Sequence, residues 1–82
     1  MSYFEQLLND PNVIWDVVFY GEDGDKSRFI NVFAKYNTAV KALEEYCEHQ
    51  RFTLYETQET VFEVYDGNKK EYEVMIFSRR IE

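Results

Sequence analysis

Eighty-two residues, 45% apolar and 18% aromatic, with one proline and three glycines, allow a single packed domain and exclude a low-complexity or disordered chain. A formal charge of −7 disfavours direct contact with nucleic acid, whose phosphates repel an acidic surface, and the longest apolar run is far short of a membrane span. The lone cysteine excludes an internal disulfide and, with an N-terminus (MSYFEQLLND) that has no basic targeting region, predicts a reducing, cytoplasmic setting.

From Ser2 to Asn9 the chain predicts a short helix. Ser2 and Glu5 have the spacing of a capping box, and Tyr3, Phe4, Leu7 and Leu8 recur at helical intervals. Pro11 ends it. Val13 to Tyr20 (VIWDVVFY) is β-branched and aromatic, hence a strand. GEDGD then forms a loop, and Lys26 to Ala34 a second strand. So short a loop can join only antiparallel neighbours.

Asn37 is the expected N-cap of an amphipathic helix reaching Gln50. Ala39, Ala42, Leu43, Tyr46 and Cys47 mark its sheet side, while Lys41, Glu44, Glu45 and Glu48 lie largely opposite. Arg51 to Tyr65 is strand-like and leaves two forms open: one bent strand, or two short strands joined at ETQE, a tetrapeptide poor in turn-forming residues. Asp66 to Asn68 (DGN) predicts a hairpin turn, and Lys70 to Ser78 the last strand. The expectation is one α+β domain over residues 1–82: a short N-terminal helix, then ββαββ, with an antiparallel sheet packed against one amphipathic helix.

A sheet covered on one side alternates apolar and polar residues. These strands carry apolar groups at both parities. Val13, Trp15, Val17 and Phe19 alternate with Ile14, Val18 and Tyr20; Ile30 and Val32 with Phe29 and Phe33; Tyr72, Val74 and Ile76 with Met75 and Phe77. One long helix covers one face. Either the N-terminal helix, about 12 Å long, and sheet twist cover the second face, or that face is open to self-association. Ile14, Val18, Phe29, Phe33, Met75 and Phe77 are the expected dimer face in the second case.

The stretch EEYCEHQ holds the only cysteine and the only histidine, ringed by glutamates. Two residues apart on a helix, Cys47 and His49 point about 200° from each other, so they form no thiol–imidazole pair. Cys47 falls with Leu43 on the apolar side, where a thiol is a small inert hydrophobe. His49 follows Glu45 by one turn and suits a helix C-terminus. GEDGDKS is too short for a calcium loop and lacks the phosphate-loop spacing. No catalytic residue, cofactor site or metal site is expected, and so no enzyme.

The charge is uneven. Between Glu44 and Asp66, seven acids (Glu44, Glu45, Glu48, Glu56, Glu59, Glu63 and Asp66) meet one base, Arg51; from Lys69 onward four bases meet three acids. Tyr46, Tyr55 and Tyr65 lie in the same acidic segment. The seven acids with Tyr55 and Tyr65 are the expected partner-binding face, and a basic protein surface is its natural complement. In size, charge and aromatic content the whole chain resembles the small acidic phage-encoded inhibitors that block restriction or CRISPR nucleases. The resemblance implies a nucleic-acid mimic acting in the host cytoplasm, which blocks a basic, nucleic-acid-binding site on a defence protein such as a nuclease. The alternative is a small homodimeric structural or regulatory module that works through the apolar sheet face.

Overall fold

The computed structural model describes residues 2–21 and 26–81, without the side chains of residues 26–30. Apart from Gly21, the predicted GEDGD loop lies outside the described residues. The elements are α1 (Tyr3–Leu8), β1 (Val13–Tyr20), β2 (Lys26–Phe33), α2 (Tyr36–Gln50), β3 (Thr53–Gln58), β4 (Val61–Asp66) and β5 (Lys69–Arg80). The strands form one antiparallel sheet in the order β2-β1-β5-β4-β3. The predicted α+β class holds, with five strands in the sheet.

The segment left open in the sequence is two strands. Its turn at Glu59 and Thr60 has no glycine, proline or asparagine, yet three bonds hold it. Thr57 Oγ1 donates to the Val61 carbonyl at 3.0 Å. The Ile76 amide donates to the Thr60 carbonyl at 2.9 Å. The Tyr36 hydroxyl donates to the Glu59 carbonyl. Two of these partners are distant in sequence, which is why local turn chemistry did not signal the turn.

The next hairpin obeys local rules. Gly67 is the first residue between the paired Asp66 and Lys69 and has φ +63°. That is the position a type II′ turn reserves for glycine. A Cβ there would meet nothing within 4 Å, so the demand is conformational.

Helix α1 starts as expected, with Ser2 Oγ accepting from the Glu5 amide at 3.2 Å. Helix α2 departs from expectation. It begins at Tyr36, with Lys35 as an extended cap that makes no side-chain bond, so Asn37 lies inside the first turn. Packing outweighs capping here. Tyr36 stacks edge-on against Phe4 at 5.0 Å and Trp15 at 5.3 Å, contacts that require it in the first turn. At the other end Arg51 takes the left-handed conformation (φ +61°). Its amide donates to the Glu48 carbonyl and the Phe52 amide to the Cys47 carbonyl, the two bonds of a Schellman motif.

One core fills the space between α2 and the sheet. Trp15, Val17, Phe19, Phe62, Val64, Val74 and Ile76 meet Ala39, Leu43 and Cys47 there. Each large side chain so buried contributes roughly 1.5–3 kcal/mol of transfer free energy. Phe4 and Leu7 of α1 pack against the same core. Both helices therefore lie on one face. Among the described residues no helix covers the other, so α1 does not cover the second apolar face. At 38 × 22 × 21 Å the molecule has the thickness of two layers.

Candidate functional site

The structure separates the acidic segment into three places. Glu44, Glu45 and Glu48 are exposed on the outward side of α2, which the three buried residues Ala39, Leu43 and Cys47 orient. Glu56 and Glu59 are exposed at the far end of β3, beside Tyr36. Glu63, Tyr55 and Tyr65 are on the sheet face turned away from α2, because Tyr55 pairs with Glu63 and Glu63 with Glu73, out of phase with the core residues Phe62, Val64 and Val74. Asp66 ends β4 at the turn, exposed. A sheet thus divides the α2 acids from Glu63 and the two tyrosines. Closeness along the chain did not become a single patch.

Compensation is uneven as well. Glu63 and Glu73 stand opposite each other on neighbouring strands, and Lys70 Nζ donates to both, at 3.1 and 3.2 Å. These bonds hold the Lys70 ammonium above its ordinary pKa. Arg79 pairs with Asp16 at 3.4 Å, Arg80 with Asp10 at 3.4 Å and Lys69 with Glu71 at 3.9 Å. Among the described residues, no ion pair involves Glu44, Glu45, Glu48, Glu56, Glu59 or Asp66. Asp16, Glu63, Glu71 and Glu73 of the sheet are paired in place, with one Lys70 shared between Glu63 and Glu73; the acids of α2 and of the β3–β4 end, and Asp66, have no ion pair among the described residues.

Lys70 is the residue that sequence reasoning passed over. Its signal was available, since the DGN turn sets the hairpin register and brings Lys70 beside Tyr65, one row from Glu63. Tyr36 was passed over too. Partial burial raises its hydroxyl pKa, and the Glu56 and Glu59 carboxylates raise it further. That field places both acids near the N-terminal end of α2.

The uncovered sheet face carries apolar groups in register. Val18 of β1 lies opposite Met75 of β5, and Met75 opposite Val61 of β4. Asp16 lies between Val32 and Phe77, and Ile14 opposite Arg79. Phe77 is 43% exposed, whereas Val18 is 5% exposed although it lies outside the main core cluster. Phe33 does not belong to this face. It pairs with Trp15 and packs against the core. The pairing of β1 with β2 skips Ile30, between Val17–Asn31 and Val18–Phe29, so a bulge puts Phe29 and Phe33 out of the common phase their parity implied. Phe29 is opposite Val18 by register; its side chain lies outside the described residues.

Tyr55 and Tyr65 stack edge-on at 5.3 Å and, with Glu63, Gly67 and Asn68, line a shallow recess of about 410 Å³. A second cleft of about 400 Å³ lies against Tyr20, Lys70, Tyr72, Glu73 and Met75. Of its charged groups, Lys70 and Glu73 are bonded to each other, and Glu71 pairs with Lys69.

The cysteine–histidine stretch separates as helical geometry requires. Cys47 is buried in the core, and burial pushes its thiol up to about 11. His49 is exposed in the last turn of α2. Among the described residues no three His, Cys, Asp or Glu side chains gather as metal ligands. Nor, among them, is any helix long and apolar enough to cross a membrane. No family model, curated protein or solved structure matches the chain.

Proposed function

We propose that this is a non-enzymatic binding protein whose α2 acids, Glu44, Glu45 and Glu48, engage a basic surface on another protein. The uneven compensation carries the reading: Lys70 and Arg79 pair with acids of the sheet, while three carboxylates on one helix stay exposed and unpaired among the described residues. Glu44 and Glu48 are one turn apart, about 6 Å along the axis, with Glu45 beside them. A row of fixed carboxylates steers a basic partner toward the helix and suppresses acidic ones. A groove that normally holds nucleic acid is the basic surface such a row fits, and its occupation blocks the nucleic acid. That is the mode of action implied by the resemblance to small acidic phage inhibitors of nucleases. Glu63, Tyr55 and Tyr65 have no part in this contact, because they face the other way.

The test is capture of host proteins on the immobilised chain along a salt gradient, with E44K/E45K/E48K alongside. Basic proteins held by the wild type should elute as salt screens the contact, and the triple variant should bind them at least tenfold more weakly. Undiminished binding of the same proteins by the triple variant overturns the proposal.

A further inference from the structure

The uncovered sheet face presents a different chemistry from the helix. We infer that it is the interface with a second copy of this chain, packed face to face about a two-fold axis.

Three observations select that occupant. The first is the apolar row. Met75 and Val61 lie in register with the already buried Val18 across three adjacent strands, and the half-buried Ile14 and Val32 and the exposed Phe77 flank them. Such a patch on a sheet without a helix is what pairs two sheets into a sandwich, about 10 Å apart.

The second is charge. A chain of net −7 repels its own copy over most of its surface. On this face Asp16 is paired with Arg79, and Lys70 bridges Glu63 and Glu73. Contact here brings together the most nearly neutral described face of each copy. It also sends Glu44, Glu45 and Glu48 to the outer ends of the pair, with both sheets between them. That separation exceeds the roughly 8 Å over which charges act at physiological salt. A basic protein partner gains less from this face, where Arg79 and Lys70 already pair with Asp16, Glu63 and Glu73, than from the unpaired acids of α2, which favours a second copy over such a partner.

The third is area. Five strands spaced about 4.8 Å apart, with the β1–β5 pairing longer than the other three and an average of about six residues at 3.3 Å each, present roughly 500 Å² per copy. Two copies then bury about 1,000 Å², the threshold for a specific interface. A C2 contact is self-complementary, so one patch is sufficient.

Sedimentation equilibrium up to about 100 µM, where a micromolar association is populated, should give twice the chain's mass, undiminished by added salt because apolar contact dominates. A monomer throughout overturns the inference. Phe77→Glu, at an exposed position, should retain the far-ultraviolet circular dichroism spectrum and weaken association at least tenfold; unchanged association overturns it. Hydrogen exchange of the wild type needs no variant. Residues 14–18 and 73–79 should gain protection as concentration rises, and gain in α2 instead would place the interface elsewhere and overturn it. E44K/E45K/E48K should dimerise normally, so loss of the dimer and loss of basic-partner binding are separable results.

Discussion

Tyr36, in the first turn of α2, donates its hydroxyl hydrogen bond to the backbone carbonyl of Glu59, in the turn between β3 and β4. Residues 23 positions apart are thereby tied, and the edge hairpin is anchored to the helix. Tyr36→Phe keeps the ring against Phe4 and Trp15 and removes only the donor. Urea denaturation should show a loss of about 1 kcal/mol. Tyr36→Ala also empties the aromatic contact and should cost about 3–4 kcal/mol. Equal losses for the two would show that the hydroxyl, not the ring, carries the contribution.

Arg51 closes α2 in a conformation that favours glycine. A side chain in the left-handed region costs about 1–2 kcal/mol, and glycine offsets part of this through its more flexible unfolded state. Arg51→Gly should therefore stabilise the chain by about 0.5–1 kcal/mol in thermal or urea melts. An exposed side chain with no ion pair among the described residues has little else to lose.

Burial of Cys47 has a signature at alkaline pH. Its thiol titrates near 9.0 when free and near 11 in the fold. A group with a raised folded-state pKa contributes stability that is fully present below the unfolded value and fades as pH rises through the folded one. The raised Tyr36 and Lys70 values act in the same direction. Under reducing conditions the urea midpoint should fall as pH rises from 9 through 11, and less steeply for Cys47→Ala. At pH 8 the native thiol should resist iodoacetamide and react at once in denaturant. Rapid native alkylation would contradict the buried position.

Lys70 separates two carboxylates that its removal would leave facing each other. Lys70→Met should cost about 1 kcal/mol at low ionic strength. Added salt should reduce the cost, because it screens the Glu63–Glu73 repulsion. A cost independent of salt would mean that the stem of Lys70 matters through packing and not through charge.

Much of the fold was legible because it is written in local terms. β-branched and aromatic runs marked β1 and β2, Ser2 marked the start of α1, and Gly67 marked the β4–β5 turn. Helical spacing sent Cys47 inward and Glu44, Glu45 and Glu48 outward, and angles alone set Cys47 and His49 on different sides of the helix. The apolar residues at both strand parities already announced a sheet with a second face to account for.

Other features depend on partners far along the chain. The Glu59–Thr60 turn exists because Tyr36 and Ile76 bond its carbonyls. The start of α2 moved because Phe4 and Trp15 hold Tyr36. A single bulge took Phe33 out of the expected dimer face, since one extra residue reverses the side on which later side chains fall. The sequence by itself determined β1, β2 and β5, the helix faces and the excess of negative charge. Only the tertiary structure decided that both helices share one side, that the Glu59–Thr60 turn divides β3 from β4, and that Lys70 and Arg79 pair with acids of the sheet while α2 keeps its charge. Faces and ion pairs are set by strand register and layer order, which no local stretch of sequence contains.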